Sequence, residues 1–162
     1  MTNATAHNNQ SEPAARPRMM QCRGVRGAIT VKGDDQDEIL DATRELLQAI
    51  LSANDMHVQD IASIYFTTTS DLTSTYPAFA ARQLGWFDLA LLCGHEMAVP
   101  SGLQKCIRVL IHWNTTKTNE EIVHVYLREA KSLRPDRSNI PPVRPRQISP
   151  VEAAVKFLAM TL

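Results

Sequence analysis

No apolar run in this chain approaches the ~18 residues that a bilayer-spanning helix needs, so no membrane anchor is expected. Cysteine is scarce. Cys22, Cys93 and Cys106 cannot all pair and form no C-x-x-C, which argues against a disulfide scaffold or a structural zinc site and fits a reducing compartment. Net charge is missing too: 17 basic residues balance 17 acidic ones, without the basic excess that nucleic-acid binding draws on. The first eighteen residues contain no apolar segment of the kind a secretory leader requires, so the cytoplasm is the expected location. Phosphate-cradling loops of the G-x-x-x-x-G-K-[ST] and G-x-G-x-x-G types are absent, as is a G-x-S-x-G nucleophile elbow. His95-Glu96 opens an H-E-x-x-H pattern, but Val99 occupies the second histidine position, so no catalytic zinc is expected.

What is present is an ordinary globular composition: 162 residues, 44% hydrophobic and 21% charged. One domain of this length buries enough surface to fold without staples. Residues 1–18 are polar and read as a disordered extension. Residues 20–32 alternate, with Val25, Ile29 and Val31 on one face and Arg26, Ala28 and Thr30 on the other, which predicts a strand. Residues 35–54 predict an amphipathic helix. Asp35 and Glu38 stand at capping spacing, Ile39, Thr43, Leu46, Leu47, Ile50 and Leu51 recur at three and four, and Asn54 is the expected stop.

Residues 61–68 predict a second strand, and Pro77 opens a second helix running to about Leu84. Leu89–Cys93 reads as a short buried strand. Lys105–Trp113 reads as a strong one, with Ile107, Val109, Ile111 and Trp113 opposite Cys106, Arg108, Leu110 and His112. A short helix is expected from Asn119, and an ordered segment from Val123 through Leu127. Beyond Arg134, five prolines and several arginines mark a linker-like tail over 137–162, in which Val151, Val155, Leu158 and Leu162 allow a terminal helix. Strands and helices interleave, which gives an α+β or α/β core over about residues 19–136, between two tails.

The residues alone leave one chemical suggestion. Arg26 and Arg108 each sit mid-strand among aliphatics. The plainest reading is a sheet face open to water. Together with Arg82, Glu96 and Tyr126 they would also make a site for a polyanion, because guanidinium forks bind carboxylates bidentately. Cys93 near His95 admits a thiol–imidazole pair, against the plainer role of a small buried filler.

Seven segments then occur in order: R-G-V-R-G-A-I-T-V (Arg23–Val31), D-L-x(3)-Y-P-A-x-A-A-R (Asp71–Arg82), G-W (Gly85-Trp86), C-x-x-E-M (Cys93–Met97), G-L-x-K-C-I-R-V (Gly102–Val109), H-V-Y-L (His124–Leu127) and L-R-P-D (Leu133–Asp136). From about Gln21 to Asp136 the chain closely resembles the monofunctional chorismate mutases of the trimeric, barrel-like class. The resemblance implies an α+β fold with a mixed five-stranded sheet, three subunits forming a pseudo-α/β-barrel, and active sites at the subunit interfaces. It implies rearrangement of chorismate to prephenate on the route to phenylalanine and tyrosine, without metal or organic cofactor. Nucleic acid and membrane are not among the expected partners.

By the same resemblance Arg108 donates to the substrate's ether oxygen and to a carboxylate, Arg26 pairs with a carboxylate, and Tyr126 donates its hydroxyl to one. Glu96 and the backbone or thiol of Cys93 bind the ring hydroxyl. Tyr76 walls the ring, Leu92 joins the binding residues, Arg82 adds positive potential from the neighbouring subunit, and Leu133 and Arg134 belong to a covering segment. Phe79 stands where the family often carries lysine, and the turn before Gly85-Trp86 is one residue shorter than the family pattern. The alternative is a catalytically inactive trimeric small-ligand-binding protein of the same fold.

Overall fold

The structure, a computed structural model, describes residues 18–135. The expectations for the amino-terminal extension up to residue 17 and for the tail beyond residue 135 lie outside them. Five strands form one mixed sheet: β1 (Gln21–Thr30), β2 (Ile61–Thr68), β3 (Ala90–His95), β4 (Cys106–Thr115) and β5 (Val125–Tyr126). Their spatial order is β3-β2-β4-β1-β5. The long central strand β4 pairs antiparallel with both β1 and β2, and the edges β3 and β5 join in parallel.

One face of this sheet is covered by helix α1 (Gln36–Asn54). The helix starts where the sequence predicts: the Asp35 side chain accepts from Glu38 N–H at 2.9 Å, satisfying one orphan donor of the first turn. Glu38 reaches back to the Lys32 and Gly33 amides. The stop is one residue later than expected. Asp55 takes the left-handed conformation at φ 50°, while Asn54 stays helical and fully buried, its side chain donating to Ile50 and Val123 carbonyls.

The stripe Ile39, Leu46, Leu47 and Ile50 packs on Val25, Ile29, Ile64, Phe66, Ile107, Val109 and Ile111, forming the core. Gly27 lets the helix approach closely, since a Cβ there would lie 2.6 Å from Ile50 Cδ1. Helix α2 (Ala78–Gln83) packs beside α1 with Ala78, Ala80 and Ala81 buried, and Gly85 reverses the chain at φ 87°.

Two expectations are corrected. The strand read as Leu89–Cys93 runs Ala90–His95 and is not buried: it is a sheet edge, and Leu92 on its outer face is 64% exposed. No helix forms at Asn119–Glu121; the Glu121 carboxylate instead caps a turn by accepting from Thr118 N–H at 2.7 Å. Cys106 shares the Arg108 face as read, and a 3-10 segment (Arg128–Leu133) folds over that end of the sheet and buries it with Ala28, Tyr126 and Ala130.

Candidate active site

The face of the sheet opposite α1 carries the site. Strand pairing fixes which side chains share it. Arg26 lies opposite Leu110, Leu110 opposite Tyr65, and Tyr65 opposite Leu92; one row along, Tyr126, Ala28, Arg108, Thr67 and Gly94 line up across all five strands. Paired residues point to the same side of a sheet. The result is a cleft of about 360 Å³ whose lining includes Arg26, Tyr65, Thr67, Glu96, Arg108 and Tyr126. Leu133 and Arg134, from the end of the 3-10 segment, line it too.

Arg108 is central. Its Nε stands 3.7 Å from Glu96 Oε1, an ion pair too long for a hydrogen bond, and this buried Nε has no hydrogen-bond partner among the described residues. Glu96 lies just past β3, where its N–H donates to Thr68 O at 2.8 Å and its carboxylate accepts from the Thr67 hydroxyl. Arg26 is exposed, and its backbone N–H donates to His124 Nδ1 at 3.1 Å. Tyr126 is buried on β5. Below Arg108 the Cys106 thiol is pushed up by burial, opposed by the Arg108 charge, so it stays neutral and inert.

The remaining predicted residues do not converge on this cleft. Cys93 alternates with Glu96 and faces the other side of β3, toward α2. Burial raises its thiol, opposed by the Ala78 amide and the Arg82 charge. Arg82 and Phe79 line a second, broader hollow of about 590 Å³ with Leu40 and Phe87. The Arg82 guanidinium lies 5.5 Å over the Phe79 ring, whose other neighbour is the exposed Tyr76 at 6.1 Å. Phe79 therefore holds Arg82 by a cation–π contact. The predicted residues thus fall into two groups on opposite sides of the sheet, with Leu92 exposed at its edge.

The sequence reading missed Tyr65 and Thr67 in the cleft. Their alternation with Ile64 and Phe66 was visible, but which face carried ligand-facing groups depends on pairing with β4. Among the described residues no three His, Cys, Asp or Glu side chains come together as a metal site. No helix among them is long and apolar enough to cross a membrane.

A mixed five-stranded sheet with one helix-covered face, and a cleft on the other lined by two arginines and a carboxylate, defines a small α+β protein. The chain belongs to the type I chorismate mutase family, whose model matches residues 22–137. It is 50% identical over 115 residues to the chorismate mutase AroH of Thermus thermophilus, covering 70% of this chain and 94% of that one. It is 42% identical over 120 residues to chorismate mutase AroH of Bacillus subtilis, covering 74% and 94%. The fold matches a chorismate mutase from Clostridium thermocellum with a TM-score of 0.67 at 46% identity, over 68% of this chain and 98% of that one.

Proposed function

We propose that this protein isomerises chorismate to prephenate, and that it does so as a homotrimer with each active site shared between two protomers. The observation that carries the reaction is the cleft floor: two arginines and an uncommitted, buried guanidinium N–H beside a carboxylate. The substrate is a dianion. Its ether C–O bond breaks as a C–C bond forms within the same molecule, so no proton has to move and no covalent intermediate is needed. Two tasks remain: to hold the compact conformer in which the bonding carbons meet, and to stabilise the negative charge that grows on the ether oxygen.

Arg108 does the second. Its Nε is a buried donor with no hydrogen-bond partner among the described residues, and a rigid donor aimed at developing charge acts with little reorganisation. Arg26 and the Tyr126 hydroxyl bind carboxylate, and Glu96, already positioned by Thr67, accepts from the ring hydroxyl. Leu133 and Arg134 cover the entrance and reduce water access.

Placement supports the shared site. Tyr76, Arg82 and Cys93 lie beside α2, on the other side of the sheet from the Arg108 cleft, and a second protomer supplies them. The exposed edge residues Leu92, Met97 and Val99 give the assembly apolar surface to bury. The protein acts in the cytoplasm on this reading. The test is spectrophotometric: loss of chorismate absorbance with formation of prephenate. A pure preparation that leaves chorismate unchanged above the spontaneous rate sinks the reading.

A further inference from the structure

We propose that His124 is a positioning residue for Tyr126: its imidazole takes the place of a missing strand carbonyl and so sets the register of β5 on β1. The proposal rests on the chorismate reading, in which Tyr126 binds a substrate carboxylate, and adds what holds that phenol in place. Alternate residues of β1 bond to its two neighbours. Val31 N–H donates to Lys105 O on the β4 side at 2.9 Å, and Ala28 O accepts from Leu127 N–H on the β5 side at 2.9 Å. By that alternation the Arg26 N–H also turns toward β5. Parallel strands bond at evenly spaced, two-residue intervals. With Gly27 opposite Val125 and Ala28 opposite Tyr126, the next acceptor due to Arg26 is the Val123 carbonyl.

That carbonyl is engaged elsewhere. Asn54, at the end of α1, donates from Nδ2 to Val123 O at 2.9 Å and accepts from Val123 N–H at 2.8 Å, which draws Val123 to the helix. His124 closes the gap: its Nδ1 accepts from Arg26 N–H at 3.1 Å. A ring nitrogen that accepts carries no proton, so the proton of the neutral ring sits on Nε2. The two strands depend on this bond unequally. β1 is paired to β4 along its whole length, which holds Arg26 without it. β5 is two residues long. Leu127 N–H ties it to β1 on one side of Tyr126, and His124 does so on the other. Tyr126, in the cleft lining between those two ties, is therefore the residue displaced when one is lost. The Arg26 amide is exposed and takes water when the imidazole is removed, so the loss falls on the placing of the phenol more than on stability.

The experiment measures steady-state kinetics on chorismate for wild type, His124→Leu and His124→Asn, and for His124→Leu added to Tyr126→Phe. Leucine removes the acceptor, whereas asparagine can present a carbonyl oxygen where Nδ1 stood. His124→Leu is expected to raise KM about fivefold with kcat little changed, the pattern of weakened carboxylate binding. His124→Asn should keep the wild-type KM. In the Tyr126→Phe background, where the hydroxyl is already gone, His124→Leu should add nothing, because the two residues act as one unit. A KM rise of about threefold or more that both the asparagine variant and the Tyr126→Phe background remove supports the assignment. A smaller rise, or one that persists in either, overturns it. If His124→Leu folds poorly by circular dichroism, His124→Gln, whose amide lies one bond farther out, is read by the same criterion. A wild-type protein inert toward chorismate defeats the functional reading itself, and this proposal with it, whereas an active wild type with an indifferent His124→Leu defeats this proposal alone.

Discussion

Arg108 and Glu96 face each other at 3.7 Å, yet neither satisfies the other: the carboxylate takes its hydrogen bond from Thr67, and the Arg108 Nε is left without a partner. An ion pair at this separation sets the orientation of the guanidinium and leaves its Nε–H open to a ligand.

Arg108→Ala is therefore expected to lower kcat by about 10²–10³-fold, the usual cost of losing a donor to developing negative charge. Because the removed Nε bonds nothing among the described residues, the thermal midpoint should change little. Arg108→Lys keeps the charge but loses the planar fork and should remain severely impaired. Steady-state kinetics with thermal melts decide; an alanine variant retaining more than about a tenth of wild-type activity contradicts the role.

Turnover should be flat from roughly pH 6 to 9, since the reaction needs no general acid or base. Burial raises the Cys93 thiol, so its neutral form persists to higher pH than in a free cysteine. Cys93→Ala should accordingly lower kcat/KM only severalfold. A bell-shaped profile, or an inactive alanine variant, would indicate thiolate chemistry instead.

Asp34 ties the loop before α2 to the turn before α1. It accepts from the amides of Ser74 and Thr73 at 2.9 and 2.8 Å and from the Thr73 hydroxyl at 2.8 Å. These bonds, the Ser74 amide first, lower its carboxyl from 3.8 to about 2. A depressed carboxyl adds stability above its unfolded value and loses it as the pH falls through the folded one. Asp34→Ala should thus melt below wild type at pH 7, and the gap should narrow between about pH 4 and pH 2. A gap that stays constant over that window refutes the linkage.

At Gly27 an added Cβ meets Ile50 at 2.6 Å and Leu46 and Val109 at 3.1 Å, all in the packed core. Gly27→Ala should cost ~1–3 kcal/mol, as overpacked cores do, and Gly27→Val more. Chemical denaturation measures both. An unchanged midpoint for the valine variant would mean that α1 stands farther from β1 than described.

Leu133 and Arg134 line the cleft. A chain ending before Leu133 should raise KM more than it lowers kcat, as loss of a cover does, while one ending after Asp136 should retain activity. If the longer truncation product is also inactive, residues 137–162 contribute to the site or the assembly.

Much of the fold was legible where a period was clean. In β4 the alternation of Ile107, Val109, Ile111 and Trp113 separates core from cleft as read. In α1 the three-and-four spacing identifies the buried stripe. The reading failed where a distant segment decides burial. Cys106 shares a face with Arg108 but is covered by Tyr126 and Ala130, and no local pattern announces a 3-10 segment arriving from twenty-odd residues downstream. Strand β5 is two residues long, too short to show any period, and is held by its pairing to β1. Tyr65 looked like one more apolar residue at a strand centre; only the register with Leu110 and Leu92 places it among charged groups. The site residues came from ordered motifs rather than periodicity, which is why Cys93 and Glu96, three apart in sequence, could be grouped without sign that they face opposite ways.

That opposition has a genetic consequence on the proposed assembly. A lesion at Arg108 disables one half-site of a protomer and leaves its Arg82 half intact; a lesion at Arg82 does the reverse. In a closed ring of three, any mixture of the two defective chains joins one sound Arg108 face to one sound Arg82 face. Co-expressed in equal amounts and assembled at random, the two broken alleles would restore about one site in four, whereas either allele alone restores none.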